Sequence, residues 1–318
     1  MEKSFNKNLW SFIGRFIVIY VVTYAVVSFL FLTIQSVLPE KTALEFYRPY
    51  RPLGGTVILA EAIKAGILGL ILYPFYHIVV KRKRSWLILF GTLWGLVVLG
   101  SLQPLPGSIE GMIYTKTTMT EHIMVLVASA VQVILFISLF LPWERRIGAG
   151  FKEKNPKINQ RSIMLGYISR FVLLYVIIYA LAGIAFFMFQ DYESELSSQE
   201  SFALFRPTDH PIVIFAIPFQ ILRGSLLALF LYPFFDRIVN AKRGWLLLFV
   251  AFFGLAVLAS PVAIPDMIES LVSKFSIADS VVGTPEIIVQ LLVFSVIFFF
   301  WERRIRKKKG EKEGNTKF

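Results

Sequence analysis

Eight stretches of the chain, at about 10–38, 55–80, 85–103, 121–142, 162–189, 211–238, 244–264 and 283–301, are apolar over the length that a bilayer demands. A helix rising 1.5 Å per residue needs roughly 18–20 such residues to cross a hydrocarbon core about 30 Å thick. In that solvent every backbone polar group has to be satisfied internally, which a helix does within its own segment. These stretches therefore predict an all-α polytopic membrane protein with eight transmembrane helices. Composition agrees, since 17% of the 318 residues are charged and the mean hydropathy is +0.66, whereas soluble domains carry about 25% charged residues. The absence of cysteine excludes a disulfide scaffold. So much apolar surface also excludes disorder.

The net charge of +12 is not spread as a nucleic-acid surface would be. It falls in short runs beside the apolar stretches: Lys81–Arg84, Arg145-Arg146, Lys242-Arg243 and Arg303–Lys309. With the amino terminus inside, 23 of the 33 Lys and Arg lie on the cytoplasmic side, 6 lie outside and four lie within apolar stretches. That asymmetry is the positive-inside signature, so both termini are expected in the cytoplasm. No nucleic-acid partner is implied. The partner is the bilayer itself, with anionic lipids of the cytoplasmic leaflet facing the basic runs. The expected location is the cell membrane of a prokaryote. The first apolar stretch is too long for a signal-peptide core and has no small-x-small site after it.

The chain also repeats itself. GRFIVIYVVTYA at 14–25 returns as SRFVLLYVIIYA at 169–180, LYPF at 72–75 returns at 231–234, and WERR at 143–146 returns at 301–304. Trp86 matches Trp245, Gly95 matches Gly254, Ser101 matches Ser260 and Gln132 matches Gln290. This pattern predicts two tandem four-helix units, 1–146 and 162–304, joined by a polar cytoplasmic linker at 147–161 and followed by a basic tail at 305–318. An even helix count turns both units the same way, related by an axis along the membrane normal.

The polar residues within apolar stretches are the candidate site. Lys64 matches Arg223 and Glu61 matches Gln220, each pair three residues apart and on one helical face. A cation at mid-helix costs about 2.5–3.5 kcal/mol to insert, so two of them at matching positions imply compensation. Two readings follow. The pair could line a cavity that takes an anionic or zwitterionic solute or lipid, or Lys64 could pair with Glu61 while Arg223 finds a carboxylate or carbonyl elsewhere. Tyr20 and Tyr175 belong to matching stripes, Phe16–Tyr20–Tyr24 and Phe171–Tyr175–Tyr179, whose hydroxyls need buried partners. The small residues Ala65, Gly69, Gly224 and Ala228 read as a packing seam. Gln132 and Gln290 read as glue between helices. Arg15 and Arg170, near the cytoplasmic boundary, read as snorkelling anchors.

In the outer loops, Arg48 and Arg206 each precede proline and follow an aromatic, which suits an interfacial turn and, as a weaker expectation, the mouth of a vestibule for anions. The acidic residues of 190–210 read as a solvated face. Thr118-x-x-Glu121 is a capping box, and Thr284-Pro285-Glu286 is a helix start whose carboxylate could also reach Arg223. No HExxH, GxSxG or P-loop occurs. With three histidines no metal centre is expected, and no cofactor. His77 and Asp236 match at the ends of the second helices and read as surface groups. The sequence therefore points to a transporter or permease that does not use ATP, or to an accessory or scaffold protein whose internal charges are structural.

Overall fold

The computed structural model describes residues 2–37, 54–147, 160–189, 206–207, 210–214, 216–259 and 284–315. No strand forms among them. The helices are α1 (Glu2–Val37), α2 (Gly55–Leu72), α3 (Ser85–Phe90), α4 (Ile109–Tyr114), α5 (Met119–Ile147), α6 (Gln160–Phe189), α7 (Pro211–Ile214), α8 (Ala216–Leu231), α9 (Phe235–Asn240), α10 (Gly244–Phe253) and α11 (Thr284–Asn315). Six helical spans are long and apolar enough to cross a membrane: 8–37, 55–75, 119–147, 164–185, 216–240 and 285–307. Two shorter apolar helices, Ser85–Leu99 and Gly244–Leu258, lie beside them. The outer faces of α1 and α6 leave large apolar side chains uncovered, with Phe29 64%, Leu165 61% and Met188 77% exposed. Patches of this extent do not persist in water. The chain is a polytopic helical membrane protein.

Several boundaries depart from the sequence expectation, each for a local reason. The second apolar stretch is not one helix. Pro74 lacks the N–H of a regular turn, and α2 passes through a 3₁₀ turn at Tyr73–Phe75 into a π-helix at His77–Lys81. Pro233 breaks α8 from α9 in the same way. The third helix widens into a π-helix at Gly91–Leu99 and stops there, short of residue 103, where Gly100 N donates back to Gly95 O at 2.8 Å. Gly254–Leu258 repeats this, with Ala259 N donating to Gly254 O at 3.0 Å. The basic tail is not separate from the last helix, because α11 continues to Asn315. The expected linker is outside the described residues over 148–159.

At about 1.5 Å per residue, a helix ending at Leu99 is too short to cross the core alone. Beyond it, residues 101–115 are tucked into the bundle. Ser101, Leu102, Leu105, Ser108, Ile109, Glu110, Ile113 and Thr115 are all buried. Irregular backbone at such depth is tolerated only inside protein, with its polar groups satisfied. Ser108 caps α4 by accepting from Gly111 N at 2.9 Å. Gly107, at φ 87, uses the left-handed freedom of glycine to turn its N–H onto His122 Nδ1 at 2.8 Å. The expected capping box closes the segment: Glu121 accepts from Thr118 N at 2.8 Å, and Glu121 N donates to Thr118 Oγ1 at 3.3 Å.

Tilted and edge-to-face aromatic pairs hold the first and last spans of each half together. Phe16 and Phe136 lie 4.7 Å apart, as do Phe171 and Phe294, and Phe16–Phe140 and Phe171–Phe298 are both 5.2 Å apart. The small-residue seam packs as expected: a Cβ on Gly69 would touch Ile13 and Phe16, and one on Gly224 would press on Tyr175. Between the halves, Phe75 meets Phe234 at 4.8 Å. The Phe230 ring rests on Gly91 and Gly95, while Ile71 rests on Gly254. Leu102 N donates to Ala256 O at 2.9 Å.

Candidate functional site: the buried cations

The residues singled out by sequence gather into two clusters, one around each second helix. Lys64 projects from α2, and Glu61 one turn earlier meets it, Nζ lying 2.7 Å from Oε1 and 2.5 Å from Oε2. Both are buried, at 4% and 2% exposure. The ammonium is flanked by the rings of Tyr20 and Tyr24, each 5.7 Å from Nζ to centroid. The cation is thus enclosed by a carboxylate and two π-faces, both of which favour it electrostatically.

Arg223 projects from α8 and has no exposed surface. Its Nη1 donates to the Glu110 carboxylate and to Gln220 Oε1 at 3.1 Å, and Nη2 donates to the Ser101 carbonyl at 2.9 Å. Gln220 Nε2 donates to Glu110 Oε1 at 3.0 Å, and Tyr175 Oη donates to Gln220 Oε1 at 3.2 Å. The guanidinium carbon lies 5.9 Å from the centroid of the Tyr175 ring. Further out, Tyr114 and Tyr179 share a hydrogen bond at 2.7 Å. Glu110 belongs to α4, so the segment tucked in from the first half supplies the counter-charge for the cation of the second.

Glu110 is the site residue that sequence patterning does not find, because it reads as part of an outer loop. A signal for it exists: Ile109-Glu110 returns as Ile268-Glu269, at the same separation as Lys64 and Arg223. Residue 269 is outside the described residues.

Arg15 and Arg170, expected to snorkel, keep partial exposure and are held in ion pairs. Arg15 Nε and Nη2 donate to Glu144 at 2.7 and 2.9 Å, and Arg170 Nε and Nη2 donate to Glu302 at 2.5 and 3.1 Å. Each bond joins the first span of its half to the last. The two carboxylates are buried at 2% exposure each. They are the glutamates of the recurring WERR, whose repetition is visible in sequence and whose partners are not.

Arg206 donates to Met112 O at 2.8 Å and Ile113 O at 3.1 Å, with its own N–H on Tyr114 O at 2.8 Å. It therefore covers the last carbonyls of α4, where a cation is favoured by the helix dipole. Arg48 is outside the described residues, as are Asp191, Glu193, Glu195, Glu200 and Asp209, the acidic residues expected to form a solvated face. Gln290 is buried at 4%, and its Nε2 has no partner among the described residues, so the expected glue is not formed by that atom. Glu286 stands in the first turn of α11. Asp236 pairs with Arg306 at 2.5 Å on the surface. No group of three or more metal-ligating side chains converges among the described residues.

No family model matches this chain, and no curated protein or solved structure is significantly similar to it.

Proposed function

We propose that this is a non-catalytic membrane protein of the scaffold or accessory kind, in which the intramembrane charges fix helix packing. One observation carries the reading. Each of the four intramembrane cations, Arg15, Lys64, Arg170 and Arg223, is matched to a carboxylate of the same chain. A charge brought into hydrocarbon is tolerated when paired and hydrogen-bonded, and three of these pairs tie segments far apart in sequence.

The architecture we propose is two parallel four-helix units, 1–146 and 162–304, with Ser85–Leu99 and Gly244–Leu258 as the third span of each, giving eight spans. The reciprocal seating of Phe230 on Gly95 and Ile71 on Gly254 supports it, since a two-fold relation makes such contacts in pairs. The positive-inside distribution supports cytoplasmic termini in the cell membrane of a prokaryote.

A second reading is a transporter that does not use ATP. It is favoured by the origin of the Arg223 partner: Glu110 stands on a separate six-residue helix, so an anionic or zwitterionic solute or lipid headgroup could take its place. In this reading Lys64 and Arg223 attract the cargo, Glu61 and Gln220 tune them, Tyr20 and Tyr175 line the path, and Arg48 and Arg206 stand at its outer mouth. The units would rock about the central axis.

Thiol labelling separates the two readings, because the chain has no cysteine. Ser101→Cys is nearly isosteric, leaves Arg223 in place and reports from a residue whose carbonyl accepts from it. Lys64→Cys and Arg223→Cys report from the cation positions themselves. The scaffold reading predicts no reaction of any of them with a sulfonated thiol reagent in vesicles. Reaction at Ser101→Cys, slowed by an added anion, would support transport instead.

A further inference from the structure

The structure assigns an anionic-phospholipid site to the groove between α9 and α11 at the basic end of the bundle. The groove, about 1020 Å³, is walled by Val239 and Asn240 on one side and by Val296, Ile297, Phe300 and Trp301 on the other. Arg303, Arg304, Arg306 and Lys307, which follow Trp301 on α11, line it as well. Ile297 and Phe300 are 44% and 56% exposed, so the apolar wall lies open to acyl chains. An apolar trough also lined by several cations fits one ligand chemistry, a lipid whose headgroup carries a phosphate charge.

The cations are not equivalent. Arg306 is neutralised by Asp236 and lies over the Phe235 ring at 4.4 Å. Arg303 and Arg304 have no carboxylate partner among the described residues. The matching corner of the first half explains why. There Arg145, which WERR aligns with Arg303, donates to Val80 O at 3.2 Å and Ser85 Oγ at 2.6 Å, and is committed to the protein. In the second half the counterparts are Val239 and Gly244. Gly244 has no hydroxyl, and a Cβ there would collide with the Phe299 ring. Arg303 instead lies over that ring, 5.7 Å from its centroid, and lines the groove. One half uses its arginine internally, and the other offers it. The guanidinium fork suits a phosphate.

The test uses the full-length protein in a neutral detergent, titrated with phosphatidylglycerol, phosphatidylcholine or inorganic phosphate. Melting temperature is followed, and bound lipid is counted by native mass spectrometry. Phosphatidylglycerol is expected to raise the melting temperature and to be retained, while the other two do neither. Arg303→Gln/Arg304→Gln should weaken retention at least about tenfold, the loss of one charge-assisted contact or more. Lys83→Gln/Arg84→Gln removes the same charge from another exposed basic run and should leave retention unchanged. Equal loss in both variants would reduce the effect to diffuse surface charge and overturn the site. Stabilisation by inorganic phosphate alone, or no retention of phosphatidylglycerol by the wild type, would overturn it as well. If the double variant does not fold, retention by the wild type against Lys83→Gln/Arg84→Gln still decides.

Discussion

Arg223 on α8 and Glu110 on α4 form a buried ion pair across 113 positions of sequence, joining the two halves of the chain inside the bundle. The pair is embedded in a network with Gln220, Tyr175 and the Ser101 carbonyl. Arg223 Nε has no partner among the described residues, so the network satisfies the guanidinium at Nη1 and Nη2 and leaves one buried donor unmet, which lowers its net worth. The segment 101–115 is held inside the bundle by bonds to α8, through Arg223 and Gln220.

The Arg15–Glu144 and Arg170–Glu302 pairs are both two-pronged, but Glu144 also accepts from Tyr76 Oη at 3.2 Å, where the second half has Phe235, so the first pair should be worth at least as much as the second. Each arginine keeps some solvent access, at 15% and 25% side-chain exposure. Glu144→Gln and Glu302→Gln should each destabilise by about 1–3 kcal/mol, below the full cost of a broken buried pair. Chemical denaturation in detergent micelles would measure this. A large loss for Glu302→Gln and none for Glu144→Gln would refute this order.

These pairs also indicate what a sequence yields here. Apolar length and basic runs specify the spans, since both follow directly from bilayer thickness and surface charge. Lys64 with Glu61 is readable because its partner is one turn away on the same helix. Arg223 is readable as a problem but not as a solution: Glu110 sits in a stretch, PLPGSIEGMIY, whose prolines and glycines look like an exposed loop. Similarly, WERR is conspicuous as a repeat, yet only packing brings its glutamate to an arginine well over 100 residues earlier. The end of the third helix at Leu99 depends on π-turns, which leave no clear periodicity.

The glycine seats between halves should tolerate no side chain. At Gly91 an added Cβ would lie 2.8 Å from the Phe230 ring, and at Gly95 it would meet three atoms of the same ring. Gly95→Ala is expected to cost about 1–3 kcal/mol by overpacking. Pairing it with Phe230→Leu should recover part of that loss. Gly254→Ala should cost less, since its nearest obstacle is the end of the Ile71 side chain. Thermal unfolding of the three variants would check the order.

At the start of α5, Thr118→Ala removes an acceptor of the Glu121 N–H and the hydroxyl that donates to Glu121 Oε2. A loss of about 1 kcal/mol is expected, as for an ordinary helix cap. Thr118→Ser should retain most of it. Equal stability of Thr118→Ala and wild type would show that the box is incidental.

If the buried charges are structural, Arg223 and Glu110 stabilise the resting protein as a pair. The direct measurement is a double-mutant cycle on melting and denaturation with Arg223→Gln, Glu110→Gln and both together. Each single variant should lose about 3–5 kcal/mol, because it strands a buried charge. The double variant should lose much less than the sum of the two. Single variants as stable as the wild type, or more so, would contradict this: they would mean that the charges are strained where they sit and held for a ligand.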